Sequence, residues 1–114
     1  PAMEYTFESG NLDPADADIA MRLEHTGVPG EIFNIGDALT LSVSADGLSI
    51  ELSDGTNTIS EVILNGYREV YILLTADSMS LTIDNTIQST GPYNPPAAGL
   101  ITIKRSLWVF VNRI

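Results

Sequence analysis

The sequence predicts an all-β protein: an antiparallel β-sandwich of about ten short strands, in a single domain spanning residues 1–114. Three observations carry that prediction. Apolar and polar residues alternate in short runs along most of the chain. Glycine-containing turn pairs separate the runs. No stretch sustains a helical period.

The clearest run begins at Leu39, where Leu39, Leu41 and Val43 alternate with Thr40, Ser42 and Ser44. Asp46-Gly47 follows, then Leu48, Ile50 and Leu52 alternate with Ser49, Glu51 and Ser53 up to Asp54-Gly55. With Asn65-Gly66 these pairs suit tight hairpin turns, because both central residues tolerate positive φ. Residues 38–75 therefore read as a four-stranded meander. Tyr5 and Phe7 form an alternating run before it, as do Ile19, Met21 and Leu23. Leu81 and Ile83 continue the pattern after it, and 100–103 and 107–111 supply the last two strands. Between 91 and 99 three prolines fix φ and remove donors, which predicts an ordered loop outside the sheets.

Composition limits function. Fifteen acids face five bases, a net charge of −10, so nucleic acid and anionic membrane surfaces are poor partners. The absence of cysteine removes disulfides, thiolate nucleophiles and cysteine zinc sites. No apolar run has the length of a membrane helix, and no secretory signal is visible at the start. Pro1 suits a chain trimmed of its initiator methionine, and the expectation is an intact small gene product.

The order of the strands has a likeness. The runs Ile32-Phe33-Asn34-Ile35-Gly36-Asp37, Leu39 to Val43 and Gly47 to Gly55 resemble the concanavalin A-like, laminin-G-like lectin jelly rolls. The pair Arg68 to Thr75 and Ser80 to Asn85 is similar to that superfamily's central strands, and Leu107 to Arg113 to its last strand. The likeness implies a short, divergent member. Tyr67-Arg68 stands where the superfamily usually has tryptophan-histidine, and Asn85-Thr86 where it has glycine.

Catalysis finds little support. His25, the one histidine, reads as a surface polar residue at a strand end rather than a general base. Jelly-roll glycosidases carry Glu-x-Asp-x-x-Glu on one strand; the nearest order here, Asp16-Ala17-Asp18, meets Met21 in place of the third acid. The expectation is no enzyme and no cofactor. Asp13, Asp16 and Asp18 make a weak calcium candidate on an acidic loop, against the plainer reading of a solvated loop. Tyr93 and Asn94, with Tyr67 if the loops meet, are a weak carbohydrate-binding candidate, although Tyr93 more simply packs its loop against the sheet.

Several strands are apolar on both faces, notably 107–111 and 70–74, with Val62-Ile63-Leu64 and Ile32-Phe33 alike. Either loops cover the second face or a partner does. The second alternative makes Trp108, Phe110, Tyr71 and Leu73 a candidate protein interface. The leading functional expectation is thus a non-catalytic assembly protein, a homo-oligomer, part of a larger protein assembly such as a capsid, or both, acting as a bacteriophage decoration, cement or fibre component; its expected location is the virion if the source is viral and soluble otherwise. The alternative is a carbohydrate-binding module that uses edge loops, with or without calcium.

Overall fold

The computed structural model describes residues 5–7, 13–97, 99–105 and 108–112. Its strands are β1 (Tyr5–Phe7), β2 (Ala17–His25), β3 (Gly30–Ile35), β4 (Leu39–Val43), β5 (Ser49–Ser53), β6 (Thr58–Val62), β7 (Gly66–Leu74), β8 (Ser78–Ile83), β9 (Ile87–Pro92), β10 (Ile101–Ile103) and β11 (Trp108–Asn112). A six-stranded sheet runs β1-β10-β3-β4-β5-β6, and a five-stranded sheet runs β11-β2-β7-β8-β9. All neighbours are antiparallel. Among the described residues no helix is long and apolar enough to cross a membrane.

Period-two alternation decides what is buried. β2 turns Ala17, Ile19, Met21 and Leu23 inward, and β7 and β8 add Val70, Ile72, Leu74, Met79, Leu81 and Ile83. The facing sheet contributes Leu39, Leu41, Val43, Ile50 and Leu52. Phe33, fully buried, is among the largest side chains in this core. On one flank the sandwich is stitched shut. Ser89 on β9 donates from its hydroxyl to the Ser60 carbonyl and the Glu61 carboxylate on β6, so two sheet edges cover each other.

Three expectations change. The meander is interrupted: β6 stays in the six-stranded sheet, while β7 belongs to the other sheet. The strand before Asn65-Gly66 is Thr58–Val62, and Ile63 and Leu64 lie in the crossing. Arg68 fixes this crossing, donating to the Leu64 carbonyl (2.9 Å), the Asn65 carbonyl (2.8 Å) and the Asp84 carboxylate (2.9 Å).

The turns differ as well. At Asp46-Gly47 and Asp54-Gly55 only the glycines have positive φ, and the aspartates act as acceptors for loop N–H groups. Paired positive φ values, the signature of type I′ turns, occur instead at Gly36-Asp37 and Asp84-Asn85. Each of those turns closes with an i to i+3 backbone bond, Ala38 to Ile35 and Thr86 to Ile83.

Ile32-Phe33 is not a strand with two apolar faces exposed to choice. The β3–β4 register shifts between Glu31 and Phe33, so a bulge sends both side chains into the core, at 1 % and 0 % exposure.

Strand direction gives the sandwich two ends. At one, here termed the tip, the loops 26–29, 44–48 and 63–65 meet. A Cβ on Gly27 would lie 3.7 Å from the Gly47 carbonyl oxygen and 4.0 Å from the Asn65 side chain. The Ile63 N–H donates to the Leu48 carbonyl at 3.1 Å. The turns at 13–16, 36–38, 54–57 and 75–77, with the proline-rich loop, form the opposite end.

Candidate functional site

The outer face of the six-stranded sheet is built from the polar members of the alternating runs. Register places Thr102, Asn34, Thr40, Ser53 and Thr58 in one cross-strand row. The next row holds Glu31, Ser42, Glu51 and Ser60. Neighbouring strands lie about 4.8 Å apart, so each row is a ladder of hydroxyl, amide and carboxylate groups at that spacing.

One edge of the ladder is braced. Asn34 donates to Glu31 at 2.8 Å and accepts from the Asp37 N–H at 3.2 Å, while Lys104 pairs with Glu31 at 3.2 Å. The centre is open: among the described residues no side chain engages the Glu51 carboxylate or the hydroxyls of Thr40, Ser42 and Ser60. Their hydrogen-bonding capacity faces solvent, and a ligand rich in hydroxyls can take it up. The sequence reading missed this surface, although its signal was present in the Thr, Ser and Glu residues alternating with Leu39 to Leu52.

The predicted sugar-stacking residues are not brought together. Tyr67 is 62 % exposed at the tip end of β7, whereas Tyr93 lies at the opposite end. Tyr93 is also buried (3 % exposed), with its hydroxyl donating to the Pro14 carbonyl at 2.7 Å and its N–H to the Asp77 carbonyl at 3.1 Å. It pins the proline-rich loop, and burial followed by the charges of Asp54 and Asp13 pushes its phenol pKa up. Asn94 is exposed and donates its N–H to Asp54 at 2.7 Å.

Asp54 is the hub of this end. Its carboxylate accepts from the N–H groups of Thr56 and Asn57, from the Asn57 amide and from the Asn94 N–H. Burial opposes its charge, but the bonds from Asn57, Asn94 and Thr56 outweigh that and hold its pKa down at about 2. A folded-state pKa below the ordinary 3.8 stabilises the fold above that value, and the gain disappears as pH falls from about 4 toward 2. Asp54→Ala is expected to cost about 2 kcal/mol at neutral pH. The gap from wild type should narrow toward pH 3 in urea titrations. A gap that does not depend on pH would exclude the carboxylate as its source.

The aspartates of the calcium candidate do not converge, and no group of three acidic or histidine side chains suited to a metal occurs among the described residues. Asp13 caps its own turn through the Ala15 N–H. Asp18 accepts from the Tyr71 hydroxyl at 2.6 Å, which, with burial and the carboxylate's charge, pushes the phenol up to about 12. Tyr71 and Leu73 are half-buried on the outer face of the five-stranded sheet. Trp108 and Phe110 pair through β11 backbone with Arg22 and Ala20, and their side chains lie outside the described residues.

His25 is not a surface residue. It is 2 % exposed at the end of β2, with Nε2 3.1 Å from the Gly47 carbonyl oxygen and Nδ1 buried without a partner among the described residues. It clamps the tip rather than presenting a base to solvent.

The two antiparallel sheets, six strands against five, form a jelly-roll β-sandwich, a fold also found in galectins. Toad ovary galectin in complex with thio-digalactose superposes with a TM-score of 0.66 at 10 % identity, covering 96 % of this chain and 98 % of that one. An ancestral congerin gives 0.57 at 15 % identity over 96 % and 99 % of the two chains. Galectin-Ib of Xenopus laevis gives 0.57 at 9 % identity over 98 % and 100 %. No protein-family pattern and no curated protein matches the sequence.

Proposed function

We propose that this chain is a non-catalytic carbohydrate-binding module that reads sugar hydroxyls with the outer face of its six-stranded sheet. The observation that carries the reading is the open polar ladder of Thr40, Ser42, Glu51 and Ser60 on a sheet whose fold is shared with a galectin bound to thio-digalactose. The Glu51 carboxylate can accept from two hydroxyls at once, and the flanking serine and threonine hydroxyls can donate or accept. Solvent-facing bonds of this kind each contribute little, so affinity for a single sugar is weak, on the order of millimolar.

This replaces the edge-loop site expected from sequence. Binding is expected to be indifferent to chelators, since the acidic loop does not gather its aspartates. No feature of the fold or its neighbours points to a virus particle. The assembly expectation rested on strands apolar on both faces, and for Ile32-Phe33 a bulge accounts for the pattern.

A glycan array followed by NMR titration tests the proposal. Glu51→Gln combined with Ser42→Ala is expected to weaken binding at least about tenfold while leaving the fold intact, because neither side chain enters the core. A silent array, or binding unaffected by this pair of substitutions, would refute the reading.

A further inference from the structure

The polar ladder offers a ligand few strong contacts, and their chemistry is one-sided. Across β3 to β6 and β10 the one aromatic residue, Phe33, is fully buried, so these strands give a sugar ring no aromatic plate to stack on. The nearest apolar support for Glu51 on this face is Val62, which is 67 % exposed. Val62 pairs with Ser49, two residues before Glu51 on β5, so it stands diagonal to the carboxylate, about 7–8 Å away. A single pyranose ring can rest its C–H face on that isopropyl group while one substituent reaches Glu51.

Two carboxylates lie in this row, and they are not equivalent. Glu31 is compensated, since Lys104 pairs with it at 3.2 Å and the Asn34 amide donates to it at 2.8 Å. Glu51, on the far side of Ser42 from Glu31, has no cation and no side-chain donor among the described residues. Its negative charge at the centre of the ladder is therefore uncompensated. The chain as a whole carries −10, a field that draws cations toward the surface and repels anions.

Resting on the reading of the ladder as a carbohydrate site, we infer that it selects amino sugars, with the free ammonium group of the ligand held by Glu51. Bonds between sugar hydroxyls and the serine and threonine hydroxyls exchange with water for little net gain. An ammonium donating to Glu51 forms a charge-assisted bond, roughly twice as strong as a neutral one. With no aromatic plate to add affinity, that bond is the strongest term the face can supply, and it decides which sugar stays. N-acetylation removes the ligand's charge and forfeits the bond. A uronic acid places a second carboxylate against Glu51 and is rejected.

NMR titration with matched sugars tests the inference. The probes are the methyl glycosides of galactosamine and glucosamine, their N-acetyl forms and the corresponding galactoside and glucoside, with methyl galacturonate salt as the anionic member. At about pH 6 the free amines are protonated. Each amine is expected to bind at least about threefold tighter than its neutral counterparts, and the uronate more weakly than any of them. Glu51→Gln should erase the preference. Asp16→Asn, which removes one charge from an exposed position at the opposite end, should leave it unchanged. Equal affinity for amine and neutral sugars would overturn the inference while leaving carbohydrate binding in place. A preference that survives Glu51→Gln, or that falls equally with Asp16→Asn, would overturn it as well, since diffuse charge would then be its source. Silence toward every sugar would refute the carbohydrate reading itself, and this inference with it.

Discussion

Replacing Gly47 by alanine is expected to destabilise the fold by about 3 kcal/mol, and so to lower Tm by roughly 10–15 °C for a chain of this size. Two penalties combine. Gly47 has φ +75°, a left-handed conformation that costs any other L-residue energy. An added Cβ would also run into the Gly27 carbonyl oxygen, with that carbonyl carbon at 3.1 Å and the Gly27 Cα at 3.3 Å. Both obstacles are backbone, so the two loops must separate, and the His25 bond to the Gly47 carbonyl separates with them. Gly55→Ala is the matched control: its φ is +95°, but nothing lies within 4 Å of an added Cβ. It should cost only the conformational part, about 1 kcal/mol. Equal losses at the two glycines in calorimetry would show that the Gly27–Gly47 approach does not constrain the tip.

Phe33→Ala is expected to cost about 4 kcal/mol, the largest effect of any single truncation proposed here. Phe33 has no exposed surface, sits beside the β3 bulge and pairs in register with Leu41 and Ile103. Its neighbours are held by ladders on both sides, which limits collapse into the cavity. Urea unfolding should show a lower midpoint with an unchanged m-value, and Phe33→Leu should recover more than half of the loss. A loss below about 2 kcal/mol for Phe33→Ala would mean the core can repack around the gap.

Much of the sandwich was legible because burial of one face writes period two into the sequence. The runs from Leu39 to Leu52 and from Ile19 to Leu23 show this, and they are the inner faces of β4, β5 and β2. A strand between Gly55 and Asn65 was expected, but its bounds were hard to read because Thr-Ile-Ser-Glu-Val lies at a sheet edge, where Ile59 is only partly buried and Glu61 reaches inward to Ser89. The bulge at Ile32 was hidden because two consecutive apolar residues look the same whether they face opposite sides or one.

The site was harder to read for a physical reason. Aromatic and acidic residues attract attention as ligand groups, yet Tyr93 and Asp54 spend their polar atoms on loop backbone. The groups left open are ordinary serines, threonines and Glu51, whose availability depends on cross-strand neighbours that no local window contains. His25 is the converse case. A histidine at a strand end reads as exposed until the loop ending in Gly47 is seen to cover it.

The division of strands between the two sheets also governs how the chain finds its structure. β3 to β6 and β7 to β9 pair with immediate neighbours through short turns, whereas β2 finds β7 some fifty residues away and β1 finds β10 across nearly the whole chain. Loop-closure entropy must be paid before those distant pairings return anything, so their formation sets the pace. A topology of this contact order belongs with the millisecond-to-second folders, and β1 and β11, which are edge strands that also depend on distant partners, are expected to gain protection from solvent exchange late.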